Sequence, residues 1–197
     1  MPETLRKLIE VISFLPGIGD KTATKLAFFL LKSHPGYLQK FASSLENIQK
    51  DIHECAKCFA LTDMKNEFCN ICDNTMRDVA SLCVVEDYLD MIAIERLNIF
   101  KGRYHVLGGA ISPINGILPS DLKIKQLFWR LENENIQELI MAVNPNIEGE
   151  ATVMYIKENM PKRADINITR LSKGLPNSGY IEYADEITLI NAFKGRN

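Results

Sequence analysis

Long hydrophobic runs are missing from this chain of 197 residues. None approaches the roughly 20 apolar residues that a membrane-spanning helix needs, so no membrane role is expected. The opening MPETLRKLIEV has no long apolar segment and no small-residue cleavage site, and does not read as a signal peptide. An excess of one charge is also lacking. The 23 Lys and Arg against 25 Asp and Glu give a formal net charge of −2. That excludes a bulk basic field, so any nucleic-acid contact must come from a local patch. No Gly-x-x-x-x-Gly-Lys-Ser/Thr loop is present to cradle a nucleotide. Asp185-Glu186, after Ile181–Ala184, is therefore only a weak likeness of a Walker B acid pair. There is no internal repeat and no low-complexity tract. Histidine is sparse, and neither His34 nor His105 has a partner that the sequence reveals. Tryptophan occurs once. Trp129 shares a helical apolar stripe with Leu122 and Phe128, which favours a place in the core; a stacking platform is the alternative.

Cysteine is where the chain speaks most clearly. Cys55-Ala-Lys-Cys58 and Cys69-Asn-Ile-Cys72 each span one tight turn, and the ten residues between them suffice for a short knuckle. Four thiolates converging in this way make a closed tetrahedral site that suits one structural zinc per chain. Two disulfides or four idle thiols are the alternative. His53 lies close enough to stand in as a ligand, but four cysteines already fill the shell. The fifth cysteine, Cys83, sits mid-strand among Leu82, Val84 and Val85 and reads as a packed core thiol. An odd cysteine count with four candidate metal ligands fits a reducing cytoplasm.

Residues 3–54 read as helical. Leu5, Leu8, Ile9, Ile12 and Leu15 repeat at helix spacing, and Pro16-Gly17-Ile18-Gly19 interrupts them. Asp20 offers an N-cap oxygen, and Ala23, Leu26, Ala27 and Leu30 resume the period as a core stripe. His34-Pro35-Gly36 ends that helix. A third helix is expected from about Leu38 to Glu54, with Phe41, Leu45, Ile48 and Ile52 on one face. Beyond Val79 the texture becomes alternating strand and helix. Strands are expected at Ser81–Glu86, Tyr104–Leu107, Glu138–Val143 and Asp165–Leu171. Helices are expected at Asp90–Leu97, Asp121–Leu131, Glu150–Asn159 and Glu186–Lys194. Such βαβ alternation implies a mainly parallel sheet with helices on both faces.

Two amphipathic helices joined by Leu15–Gly19 form a helix-hairpin-helix pattern. Glycines in the turn permit positive φ and expose backbone N–H groups, and the next helix aims its N-terminal dipole at the same place. A DNA phosphate fits there without regard to sequence; a plain αα-hairpin turn is the alternative. Lys21, Lys25 and Lys32 fall within about 40° of one another at helix periodicity. Together with Gly17 and Gly19, Lys21 and Lys25 are the candidate DNA contacts. Phe28, Phe29 and Leu31 give this helix more apolar surface than one core can cover, which points to a subunit interface, with base stacking as the alternative.

Glu86 ends the first strand of the α/β part, and Glu148 and Glu150 follow the Glu138–Val143 strand across Asn144-Pro145-Asn146. The crevice beyond strand ends is the default binding site of an open α/β sheet. Three carboxylates there could hold Mg2+ for phosphoryl chemistry. Alternatively they are solvated, with Glu148 and Glu150 favouring the start of the next helix.

The order of these blocks resembles the bacterial RecR family of recombination mediators along nearly the whole chain. The residues that carry it are Leu15–Gly19 with Lys21; the four paired cysteines; Val84–Glu86; Tyr104–Gly109 running into Ile111-Ser112-Pro113; Glu148–Thr152; and Gly174–Pro176 through Glu182–Glu186. The resemblance implies a mixed α+β chain in four parts. These are a helix-hairpin-helix DNA-binding and oligomerisation region at 1–54, a C4 zinc finger at 55–72, a Toprim domain at 79–174 and a C-terminal tail at 175–197. It further implies a non-enzymatic protein that forms a homo-oligomer, a dimer or a tetrameric ring, clamping DNA. In the family, RecO and RecF act with it to load RecA on gapped DNA. Toprim enzymes carry a glutamate and then an Asp-x-Asp pair, whereas this chain has Glu86 and then Glu148-Gly149-Glu150. Mg2+ demands near-ideal octahedral geometry and each Glu arm is one methylene longer than Asp, which argues against a Mg2+-dependent nuclease or primase. The three acids are then expected to be vestigial or to bind a partner, RecO first. Asn177-Ser178-Gly179 also departs from the Val-Gly-Gly usual in the family.

Overall fold

The computed structural model describes residues 1–162, 166–171, 186, 188 and 189. The chain divides into two compact units, Met1–Asp51 and Ile52–Asn197.

The first unit holds α1 (Glu3–Ser13), α2 (Asp20–Lys32) and α3 (Pro35–Asp51). Ile12, Ala23 and Ala27 are buried between α1 and α2, with Leu5, Leu8, Ile9, Ile18 and Leu30 packed around them. The two alanines keep the helices close. Leu26, expected in this core, is exposed, because two alanines one turn apart already fill the contact. His34-Pro35-Gly36 does not merely end α2. It opens α3: Pro35 takes the first helical position, where a missing N–H costs nothing, and the Gly36 amide donates to His34 Nδ1 at 3.1 Å. The helix stops at Asp51 rather than Glu54. It has no buried residue, so Phe41, Leu45 and Ile48 form an uncovered stripe.

The second unit begins with a two-stranded antiparallel ribbon, β1 (Ile52–Glu54) and β2 (Leu61–Asp63), and a single turn of helix, α4 (Asn70–Asp73). Next come β3 (Ser81–Val85), α5 (Tyr88–Glu95), β4 (Arg103–Val106), α6 (Ile124–Asn133), β5 (Glu138–Ala142), α7 (Ile147–Asn159) and β6 (Asn167–Arg170). The last four strands form one parallel sheet in the order β4-β3-β5-β6. The four expected strands thus exist: β3 and β5 end one residue early, β4 is shifted back by one, and β6 covers only Asn167–Arg170 of the expected Asp165–Leu171. Of the predicted C-terminal helix only residues 186, 188 and 189 are described, all helical. The motifs at Gly174–Pro176 and Glu182–Asp185, with Asn177–Gly179, lie outside the described residues.

Alternate residues of the sheet face two cores, which is why its strands read as unbroken apolar runs. Leu82, Val84, Leu139 and Met141 pack with Leu127 and Leu131 of α6 and Val153 and Ile156 of α7. Cys83, Val85, Tyr104, Val106 and Ala142 pack with Met91 of α5 and with Cys55, Cys58, Ala60 and Cys69. The cysteine knuckle therefore serves as part of the covering layer on one face of the sheet. A backbone bond from the Val106 amide to the Cys58 carbonyl, at 2.8 Å, fastens it to β4.

Candidate metal centre and nucleic-acid interface

The sulfur atoms of Cys55, Cys58, Cys69 and Cys72 all lie within 4.8 Å of one another. Tetrahedral zinc, with Zn–S near 2.3 Å, sets sulfur atoms about 3.8 Å apart. The Cys58–Cys69 separation is 3.5 Å. The Cys69 amide donates to Cys55 Sγ at 3.2 Å, a bond that favours thiolate. Hydrogen bonds from the other three thiols push Cys55 far down, while the same crowding pushes Cys58 up. Four buried thiolates do not ionise together unaided, and a dication removes that conflict, so the donor set fits a metal ion. Phe59, at φ 63°, turns the chain so that the Cys55 amide can donate to the Ala60 carbonyl at 2.7 Å. Cys83 stays outside the cluster as a core thiol, its pKa pushed up to about 12 by burial.

The acidic residues separate into different environments. Strand order reverses around β3, with β4 on one side and β5 on the other, and Glu86 stands at that switch point. Glu86 is buried, however, and both its oxygens are taken. The Asn144 amide donates to Oε1 and Asn144 Nδ2 to Oε2, each at 2.7 Å. Glu150 forms a two-pronged pair with Arg170, at 2.7 and 2.8 Å. Glu148 is half-buried in the first turn of α7, whose N-cap is Asn146. Among the described residues the three acids do not converge on a point where a metal would sit; the four cysteines do.

In the first unit the turn is built partly as expected. Gly17 has φ +79°, but Gly19 is extended at φ −86° and is itself the N-cap of α2, so Asp20 is the first helical residue and not the cap. No side chain caps the first turn of α2. Lys21 and Lys25 are exposed and enter no ion pair among the described residues. Phe28, Phe29 and Leu31 are exposed too. Tyr37, which the sequence did not single out, joins them. Its ring meets Phe29 edge-on at 6.2 Å and stacks on Phe41 at 6.3 Å, so the aromatic surface of α2 continues onto α3.

Two further residues differ from expectation. His105 is fully buried, its Nε2 2.9 Å from the Lys123 carbonyl and its Nδ1 3.4 Å from Arg130 Nη1. Burial and the guanidinium push its pKa down to about 3, so it is neutral at pH 7. Trp129 is 61% exposed, not core. The helix starts at Ile124, so Leu122 does not set its stripe; Ile124, Leu127 and Leu131 do, and Trp129 lies about 200° around from Leu127.

A helix-hairpin-helix unit, a four-cysteine centre and a parallel sheet with an acidic switch point define a Toprim-containing protein of nucleic-acid metabolism. Residues 5–49 match the RecR helix-hairpin-helix, 80–172 the Toprim domain and 174–197 the RecR C-terminal segment. A recombination protein RecR from Anaeromyxobacter sp. (strain Fw109-5) is 43% identical over 194 residues, covering 98% of this chain and 96% of the relative. The chain belongs to the RecR family, and with membership goes the role of a recombination mediator rather than an enzyme.

Proposed function

We propose that the chain acts as a DNA clamp in recombinational repair, holding gapped DNA while RecO, with RecF, brings RecA to it. The observation that carries this reading is the surface of α2. One side offers Gly17, Gly19, Lys21 and Lys25 to phosphates, and another offers an uncovered aromatic face to a second copy. The first unit buries only Ile12, Ala23 and Ala27, which is little for a free-standing domain. Phe28, Phe29 and Leu31, extended by Tyr37 and Phe41, are the interface that closes a dimer or tetrameric ring. So few basic contacts per chain bind weakly, and closure around DNA supplies the retention.

The division of labour follows the chain. Residues 1–54 bind DNA and oligomerise, 55–72 hold one structural zinc through Cys55, Cys58, Cys69 and Cys72, 79–174 form the Toprim domain and 175–197 the tail. The strand Ile52–Glu54 already belongs to the compact unit that carries the metal centre. The acids serve structure and partner contact rather than cleavage. Glu86 locks the β5–α7 turn, Glu150 is held by Arg170, and Glu148 beside that pair offers negative charge to a basic RecO surface. No helix among the described residues is long and apolar enough to cross a membrane, and we place the protein in the cytoplasm, at the nucleoid during repair.

The test is the double variant Lys21→Ala/Lys25→Ala. Binding should weaken alike for all sequences, and the salt slope should fall by up to about two per engaged chain, at about −0.9 per phosphate contact. An unchanged slope and affinity would refute the assignment of these lysines.

A further inference from the structure

Beside the metal centre, a cleft of about 490 Å3 is lined by Lys57, Phe59 and Phe68 of the knuckle and by Gln126, Trp129 and Arg130 of α6. That volume lies within the range of about 300–1,000 Å3 typical of ligand sites. We propose that this cleft receives an unpaired base of single-stranded DNA, stacked on Trp129. The inference rests on the reading of the protein as a DNA binder and adds a second contact, one that discriminates strandedness.

The aromatic surface is available. Trp129 is 61% exposed and Phe68 39%. One comes from a helix and the other from the residue before a cysteine of the cluster, so both are held on rigid elements. The floor is fixed by Arg130, which is almost fully buried and bonded to the Tyr104 carbonyl at 2.8 Å and to both oxygens of Glu134 at 3.1 and 3.2 Å.

Charge favours a phosphodiester over an apolar peptide. Glu134 is committed to Arg130 and to Lys57, whose Nζ is 3.7 Å away. Lys125 stands one helical turn before Trp129, exposed and in no ion pair among the described residues. Within the lining Lys57 and Arg130 balance Glu67 and Glu134, and Lys125, just outside it on the same helix, is the cation available to one phosphate beside the stacked base. Gln126, three residues before Trp129, can meet a base edge with its amide. An apolar peptide would leave Lys125 and Gln126 without acceptors. Duplex DNA keeps its bases paired and stacked and cannot enter.

The molecule supplies its own probe, because Trp129 is the single tryptophan. Oligothymidylate added to the full-length protein should quench its fluorescence, and a duplex of equal length should not. Trp129→Ala should weaken single-strand binding, read by anisotropy of a labelled oligonucleotide, between roughly 5- and 150-fold, the range for loss of one base–aromatic stack. Duplex affinity should be unchanged, and Trp129→Phe should keep most of the single-strand affinity. Unquenched fluorescence while anisotropy shows saturation overturns the proposal and leaves the DNA reading intact. So does a quench given only by a partner protein, which would make the cleft a peptide site. Failure to bind any DNA would sink the DNA reading itself and this inference with it.

Discussion

Glutamate 86 separates a structural carboxylate from a metal ligand in waiting, and Glu86→Gln decides between them. In the wild type both oxygens accept from one residue, Asn144, through its amide and its side-chain nitrogen, at 2.7 Å each. Glutamine keeps one acceptor and turns an NH2 group toward an N–H donor. One bond to a charged group is lost, about 1.5–3 kcal/mol, and the survivor loses its charge assistance, for a total near 2–4 kcal/mol. The turn has little room to adjust. A Cβ at Gly149 would stand 3.0 Å from Glu86 Oε1 and 2.0 Å from the Asn144 carbonyl, so the α7 backbone already presses on the clamp. At about 2–4 °C per kcal/mol for a chain of this size, Tm should fall by roughly 4–16 °C. Thermal melts followed by circular dichroism read this directly, and Asn144→Ala, which removes only the side-chain bond, should lower Tm by a smaller amount. A carboxylate waiting for Mg2+ behaves otherwise: its neutralisation leaves Tm unchanged or raises it, and added Mg2+ stabilises the wild type. Either result would refute the structural role, and Mg2+-dependent nicking lost in Glu86→Gln would restore the enzyme reading.

Removal of zinc should unfold residues 55–72 and uncover one face of the sheet, since metal-binding free energies of about 10–16 kcal/mol match the whole stability of a domain. Hydrogen exchange at the Val106 amide, which donates to Cys58, should accelerate sharply on chelation; an unchanged rate and Tm, or metal analysis finding no zinc, would end this claim. Replacing Phe28 and Phe29 by Ser should lower the molar mass in solution without loss of helical circular dichroism, because both are exposed in the single chain. A wild type that stays monomeric at high concentration would remove the interface.

Local spacing settled a great deal here. Cys55, Cys58, Cys69 and Cys72 need only two turns and a short knuckle to converge, so their meeting was legible in the chain and the structure brings them within 4.8 Å. The α1–α2 hairpin and the alternation of strand and helix were legible for the same reason: periodicity records which face of an element is apolar. Periodicity does not record what covers that face. The stripe of α3 has no partner within its unit, and Leu26 lost its core place to two alanines. Trp129 was misplaced because a stripe drawn through Leu122 assumed a helix that in fact begins at Ile124.

Pairings between distant residues belonged to the tertiary structure alone. Glu86 and Asn144 are 58 positions apart, Arg130 and His105 25, and Arg170 and Glu150 20. No local signal ties them, because a carboxylate beyond a strand end looks the same in sequence whether it faces solvent, a metal or an amide. The sheet order β4-β3-β5-β6 decided that Glu86 meets the β5–α7 turn, and the second core decided that the cysteine knuckle joins α5 in covering one face of the sheet. The chain's local chemistry specifies its parts; the burial of polar groups, which must find partners once water is excluded, specifies how those parts are joined.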